Sequence, residues 1–174
     1  MNKADILAGK KILVVDDEPD ILETLSELLD MCEVDTASSF LEAVTLLKKN
    51  VYHLAILDIM GVKGYDLLEA TCKLNIPSIM LTAHALSPDN LKKSIEMGAN
   101  AYVPKDKMVD ITTFVEDILA TKQKGKPANL KWFSNLRPVF DKFFGNRWRD
   151  EDRNFWDEFD KKYLDSRDDV QKMT

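Results

Sequence analysis

The chain has 174 residues, 45% of them hydrophobic and 31% charged, with six Gly, six Pro and a formal net charge of -6. This composition excludes collagenous, mucin-like and low-complexity classes and leaves one domain, or one domain with an appendage. Its apolar runs fall far short of the roughly 18 residues a membrane-spanning helix needs, Met1 to Lys11 lacks the apolar core and cleavage site of a signal peptide, and the acidity gives no global attraction to nucleic acid or anionic lipid.

In chain order, the first apolar run is Ile12 to Val15, ending on Asp16-Asp17-Glu18, and a helical face follows at Ile21, Leu22, Leu25, Leu28 and Leu29. Glu33 to Thr36 is a weaker strand candidate; Ser39 and Glu42 then form a capping box for a helix with Phe40, Ala43, Val44 and Leu47 on one face. Leu54 to Leu57 ends on Asp58 and precedes a face at Leu67, Leu68 and Thr71, and Ile76 to Leu81 ends on Thr82-Ala83. Ser87-Pro88 supplies an N-cap and first-turn proline to a helix carrying Leu91 and Ile95, which Gly98 stops. Ala101 to Val103 leads into Pro104-Lys105, and Met108, Ile111, Val115, Ile118 and Leu119 form the last face. The order is strand then helix, five times over. Short apolar runs without alternation read as strands covered on both faces, so the fold class is α/β, a doubly wound (βα)5 domain with a parallel five-stranded sheet.

The remainder is composed differently. All five Arg and all three Trp (Trp132, Trp148, Trp156) follow residue 130, and residues 130–174 are electrically neutral, whereas residues 1–129 carry the whole -6. Leu130, Phe133, Leu136, Phe140, Phe143 and Phe144 with Trp132 beside them make one helical stripe; Trp148, Phe155, Trp156, Phe159 and Tyr163 make another, with a break at Gly145-Asn146. Pro138 is expected to start, kink or split the first of these helices. The expected organisation is a domain over residues 1–122, a linker over 123–129 rich in Lys, Gly and Pro, and an aromatic-rich α-helical extension over 130–174. Aromatic stripes must leave water against each other, the first domain, a second chain or a protein partner. Arg147, Arg149 and Arg153 alternate with acids, which reads as a solvated face rather than a nucleic-acid interface, and Asp141, Asp150, Glu151, Asp157, Glu158 and Asp160 oppose an anionic membrane. Cys32 and Cys72 read as reduced, mostly buried thiols of a cytoplasmic protein. His53 and His84 are solitary, and no Walker lysine or Gly-rich dinucleotide loop is present.

Parallel sheets of this kind bind ligands beyond the carboxyl ends of their strands. If the first and third strands are neighbours, Asp16, Asp17 and Asp58 converge there, and three carboxylates so close require a cation. Hard oxygen donors point to Mg²⁺. Lys105 and Thr82 arrive at the same edge, which suits a phosphoryl group. Helix-capping acids alone would explain the carboxylates but not the Thr and Lys.

Residues 10–122 resemble the receiver domain of two-component response regulators, on the strength of Val15-Asp16-Asp17-Glu18-Pro19, Leu57-Asp58, Thr82-Ala83 and Gly98-Ala-Asn-Ala-Tyr-Val-Pro-Lys105, each at the end of the appropriate strand. The resemblance implies a flavodoxin-like three-layer domain with the strand order 2-1-3-4-5 known for such receivers. It also implies that Asp58 is the phosphoacceptor, that Asp16, Asp17, Asp58 and the main-chain carbonyl of Met60 hold Mg²⁺, and that Lys105 pairs with the phosphoryl oxygens. Thr82 and Tyr102 would be the switch pair. The implied partner is a sensor histidine kinase or phosphotransfer protein, with no catalysis beyond self-phosphorylation and Mg²⁺-dependent autodephosphorylation. Two departures stand out: Asp58-Ile-Met-Gly-Val-Lys-Gly64 reaches its glycine sooner than the family's usual loop, and Lys105 is followed by Asp106 where the family has Pro. The functional expectation is a response regulator in a phosphorelay that switches the receiver surface and the C-terminal helices, with a homodimer or protein partner through residues 130–174. The alternatives are a phosphorylation-independent scaffold or adaptor and, behind it, a DNA-binding regulator.

Overall fold

The structure, a computed structural model, describes residues 3–126 and 130–171, with side chains over 5–126 and 130–162. The linker residues Pro127 to Asn129 and the side chain of Tyr163 lie outside the described residues. The chain divides into two compact units, Met1–Lys126 and Pro127–Thr174.

The first unit runs α1 (Lys3–Leu7), β1 (Lys11–Val15), α2 (Pro19–Leu28), β2 (Glu33–Ala37), α3 (Phe40–Lys49), β3 (Leu54–Asp58), α4 (Gly64–Lys73), β4 (Ser78–Thr82), α5 (Pro88–Glu96), β5 (Ala101–Pro104), a 3-10 segment (Lys105–Asp110) and α6 (Ile111–Gln123). The five strands form one sheet in the order β2-β1-β3-β4-β5, every pair parallel. All residues of β3, β4 and β5 are buried, as are Ile12 to Val15 of β1, because helices cover both faces. β2, at the edge, buries only Ala37, which is why its apolar pattern is weak. Register fixes the site: Val15 lies opposite Leu57, Asp58 opposite Leu81 and Thr82 opposite Pro104, so the residues ending four strands share one edge.

The helix starts follow their expected chemistry. Ser39 Oγ accepts from the Glu42 N–H at 3.2 Å, while the Glu42 carboxylate reaches back to the N–H of Ser38, one residue earlier than an ideal box. Ser87 Oγ accepts from the Asn90 N–H at 3.1 Å, and Gly98, at φ +95, turns the chain out of α5. Helix α1 has no counterpart in the sequence reading. It packs against α6, burying Ile6 and Leu7, and the Leu7 carbonyl accepts from the Cys32 thiol at 3.3 Å. Both cysteines are free, but the expectation of burial fails for Cys72, which is exposed on α4 beside the Met97 carbonyl.

The second unit contains α7 (Lys131–Phe144), a 3-10 turn (Asp150–Asp152) and α8 (Arg153–Gln171). Its aromatic stripes meet each other. Trp132, Phe133, Leu136 and Phe140 of α7, Trp148 of the connection, and Trp156 and Phe159 of α8 are all buried. The Phe133 ring sits 4.7 Å from Phe159 and 5.9 Å from Trp156, and Trp148 lies 4.8 Å from Trp156. Each such pair adds about 0.5–1.5 kcal/mol beyond its buried area. Pro138 lies inside a continuous α7 and so neither starts nor splits it; the Ser134 carbonyl it leaves without its usual N–H belongs to an exposed residue that water can serve. One expectation needs correction. Trp148 precedes α8 rather than lying in it, and its indole N–H donates to Asp141 at 2.9 Å, closing the connection over the core. Arg149 reaches both Asp160 carboxylate oxygens at 2.9 Å, while Arg147 and Arg153 pair with Asp150 in the open, the solvated face expected.

Candidate functional site

Four strand ends build the site. β1 delivers Asp16 and Asp17, β3 delivers Asp58, β4 Thr82, and β5 leads into Lys105. Carboxylate oxygens of Asp16, Asp17 and Asp58 lie within 4.8 Å of one another. Asp16 and Asp58 are buried, whereas Asp17 is exposed at the rim. Lys105 is itself buried and holds the two buried acids, with Nζ 2.9 Å from Asp16 Oδ2 and 3.4 Å from Asp58 Oδ1; Glu18, half-exposed, contributes a third carboxylate at 3.8 Å. Asp16 Oδ1 accepts from the Glu18 N–H at 2.9 Å and so orients the other oxygen inward.

The electrostatics are unbalanced. Burial raises Asp58 to about 6, and the neighbouring Asp16 charge adds to this against the opposing pull of Lys105. Burial likewise raises Asp16 above the ordinary carboxylate range. For Lys105, burial lowers the pKa, but the surrounding carboxylates together outweigh it and hold the ammonium above its usual value. Four acids against one ammonium leave an excess of negative charge that one divalent cation would largely cancel.

The donor set fits Mg²⁺. Oxygens on an octahedral Mg²⁺ are about 2.9 Å apart as neighbours and about 4.2 Å apart across the ion, a span the three carboxylates nearly match already. Asp16 Oδ2 is buried and, although ion-paired with Lys105, has no bond of hydrogen-bond geometry, so it retains capacity for a ligand. The loop after Asp58 lies against Asp17: a Cβ on Gly61, which sits at φ +85, would collide with the Asp17 carboxylate. Met60, in the same loop, has its side chain exposed.

Thr82 and Tyr102 are both buried but do not touch the acids through any described bond. Thr82 Oγ1 accepts from the Ala85 N–H at 3.0 Å. The Tyr102 hydroxyl donates to the Ala85 carbonyl at 2.8 Å and accepts from the Ser87 N–H at 3.3 Å, and burial pushes its pKa well above the phenol range. Both side chains therefore clasp the loop between β4 and α5. His84 is exposed in that loop, and His53 is structural, its Nδ1 accepting from the Lys11 N–H at 3.0 Å. The sequence reading took Gly61 and Gly64 only as loop residues and Glu18 only as part of the acidic run; it missed their close approaches to Asp17, the Asp58 backbone and Lys105, since none leaves a mark in local pattern.

A family model described as the response regulator receiver domain matches residues 12–116. The transcriptional regulatory protein CpxR homolog of Haemophilus influenzae is 38% identical over 100 residues, covering 55% of this chain and 43% of its own length. The probable transcriptional regulator ycf27 of Cyanophora paradoxa is 42% identical over 101 residues, covering 55% of this chain and 42% of its own. The match thus spans less than half the length of these curated relatives. Among solved structures, a CheY-like response regulator receiver domain protein from Methanospirillum hungatei JF-1 superposes with a TM-score of 0.63 at 30% identity, covering 68% of this chain and 99% of that one.

Proposed function

This chain belongs to the response regulator receiver domain family, and from that membership we propose that it is a two-component response regulator whose Asp58 accepts a phosphoryl group. The observation that carries the reading is the meeting of Asp16, Asp17 and Asp58 with the buried ammonium of Lys105 at one sheet edge. The donors are sensor histidine kinases or phosphotransfer proteins, as is general for receivers. Asp16, Asp17 and Asp58, with the Met60 main-chain carbonyl, would hold Mg²⁺, which would neutralise charge at the transferring oxygens.

An Asp58 carboxylate oxygen attacks phosphorus; the O–P bond forms as the P–N bond to the donor imidazole breaks, and that electron pair leaves with the nitrogen. Lys105 exchanges part of its contact with Asp16 and Asp58 for a phosphoryl oxygen. The Thr82 hydroxyl, which only accepts in its bond with Ala85, keeps its proton for donation to another. As Thr82 moves, the loop it shares with Tyr102 is released or re-formed, and about two added negative charges drive the change. The chemistry is confined to the chain's own Asp58, so this is a switch rather than an enzyme with a separate substrate.

The organisation proposed is a cytoplasmic receiver over residues 1–122, a linker over 123–129 and an output extension over 130–174; no described helix is long and apolar enough to cross a membrane. Since the aromatic stripes of the extension bury each other, a homodimer or protein partner would use its outer surface, where Phe143 is 54% exposed. The transcriptional role in the relatives' names belongs to those proteins, and nucleic-acid binding is not part of this proposal. A phosphorylation-independent scaffold is favoured only by the self-contained core of the second unit.

Incubation with Mg²⁺ and acetyl phosphate should add one phosphoryl group by mass spectrometry. No adduct, or an adduct that survives Asp58→Ala, would overturn the assignment. Sedimentation with and without beryllofluoride separates the scaffold reading, which predicts identical profiles.

A further inference from the structure

Thr82 of β4 and Tyr102 of β5 hold the loop that leads into α5, and Tyr102 also holds that helix's N-cap, Ser87; a second tether reaches the same helix from the Asp58 side. Helix α4 starts against the phosphoacceptor itself: a Cβ on Gly64 would strike the Asp58 carbonyl, and the Gly64 N–H donates to the Ile59 carbonyl at 3.1 Å. Only Ile59 to Lys63 separate the two, with Gly61 at φ +85 and Lys63 at φ 54, so the loop is short and conformationally committed. The next residue, Tyr65, reaches across to α5. Its hydroxyl donates to Asn90, 2.7 Å from Oδ1 and 3.2 Å from the main-chain oxygen, and lies 3.4 Å from Ser94 Oγ. The Lys93 ammonium sits 4.1 Å from the centre of its ring.

The two tethers converge on one turn. Asn90 is the residue whose N–H the Ser87 cap holds, and the Ser87 N–H in turn donates to Tyr102. The first turn of α5 is therefore fixed from the β5 side by Tyr102 and from the α4 side by Tyr65. Beyond Tyr65, α4 is anchored in the core by the fully buried Leu67 and Leu68, while its first residue, Gly64, is buried directly against the Asp58 backbone, so a displacement of the Asp58 loop is passed to the turn that carries Tyr65. A shift of about 1 Å at that start takes a 2.7 Å bond beyond useful hydrogen-bond range.

We propose that Tyr65 is a second transmitting residue, carrying displacement of the Asp58 loop to α5 through its hydroxyl bond with Asn90. The inference rests on Asp58 being the phosphoacceptor. It makes α5 a helix that reads the site twice, once through the strand-end pair and once through the loop.

The test uses the full chain with Mg²⁺, comparing amide spectra without and with beryllofluoride for wild type, Tyr65→Phe, Asn90→Ala and the double variant. Fluorine resonances of the bound complex report occupancy of Asp58 independently of α5. The expected result is bound beryllofluoride in every variant, with the amide shifts over residues 87–97 falling to about half in Tyr65→Phe and no further in the double variant, as coupled residues behave. Wild-type α5 shifts in Tyr65→Phe, or losses that add in the double variant, would overturn the inference. If wild type itself binds no beryllofluoride, the phosphoacceptor reading fails first and takes this one with it. Should Tyr65→Phe lose its native spectrum, Asn90→Ala, which leaves the ring in place, decides by the same comparison.

Discussion

Replacing Asp58 by Asn should stabilise the metal-free protein while abolishing its phosphorylation. Burial and the Asp16 charge raise Asp58 from the ordinary 3.8 to about 6, so the folded state binds its proton more tightly than the unfolded chain does. A carboxylate shifted upward makes folding less favourable once it ionises: stability falls as pH rises from about 4 to about 6 and is level above that. A shift of about two units at about 1.36 kcal/mol per unit is a penalty of about 3 kcal/mol at neutral pH. Asn cannot ionise and escapes it. Part of the gain is lost because Lys105 gives up its 3.4 Å contact with Asp58, though it keeps Asp16 at 2.9 Å, so the net stabilisation is expected at about 1–3 kcal/mol. Native-state hydrogen exchange of the sheet amides, in EDTA at pH 7, reads it directly. Equal or lower protection in Asp58→Asn, or an advantage that persists undiminished at pH 4, would refute the reasoning.

Gly61→Ala must push the Asp17 carboxylate and adopt a positive φ, and it should weaken Mg²⁺ binding by calorimetry at least about tenfold while leaving the sheet intact. Lys105→Met strands Asp16 and Asp58 without their cation; urea unfolding should show a loss of about 3 kcal/mol at pH 7 that shrinks towards pH 5 as the carboxyls take up protons. Tyr102→Phe removes a buried 2.8 Å bond to the Ala85 carbonyl and should cost about 1–2 kcal/mol in thermal unfolding. Trp156→Ala opens the aromatic core of the second unit and should destabilise that unit by about 3–5 kcal/mol, with phosphorylation of Asp58 unchanged by mass spectrometry.

The site was legible in the sequence to the extent that strand ends are. β1, β3 and β4 are buried on both faces, so each is a short, mostly apolar run that ends against a polar residue, and those residues are Asp16, Asp58 and Thr82. What depends on contacts between distant segments left no such mark. Helix α1 has five residues, too few for a period, and is held by α6 and Cys32. The bond from Tyr65 to Asn90 spans 25 residues and looks locally like an ordinary aromatic at a helix start. Gly61 and Gly64 read as turn residues, yet their real constraint is the Asp17 carboxylate and Asp58 backbone lying against them. In the second unit, periodicity located both aromatic stripes but assigned Trp148 to the second helix, because a side chain folded back from a connection can imitate helical spacing.

The aromatic core of the second unit also gives the chain a built-in optical label. All three indoles, Trp132, Trp148 and Trp156, belong to that unit, and the segment carrying Asp58 contains none. Selective excitation of tryptophan therefore sees the extension and is blind to the receiver. A change in emission on adding a phosphodonor would be a signal that has travelled from one unit to the other, measurable on the unmodified protein without a dye. An unchanged spectrum alongside a confirmed adduct would place the output on the receiver's own surface.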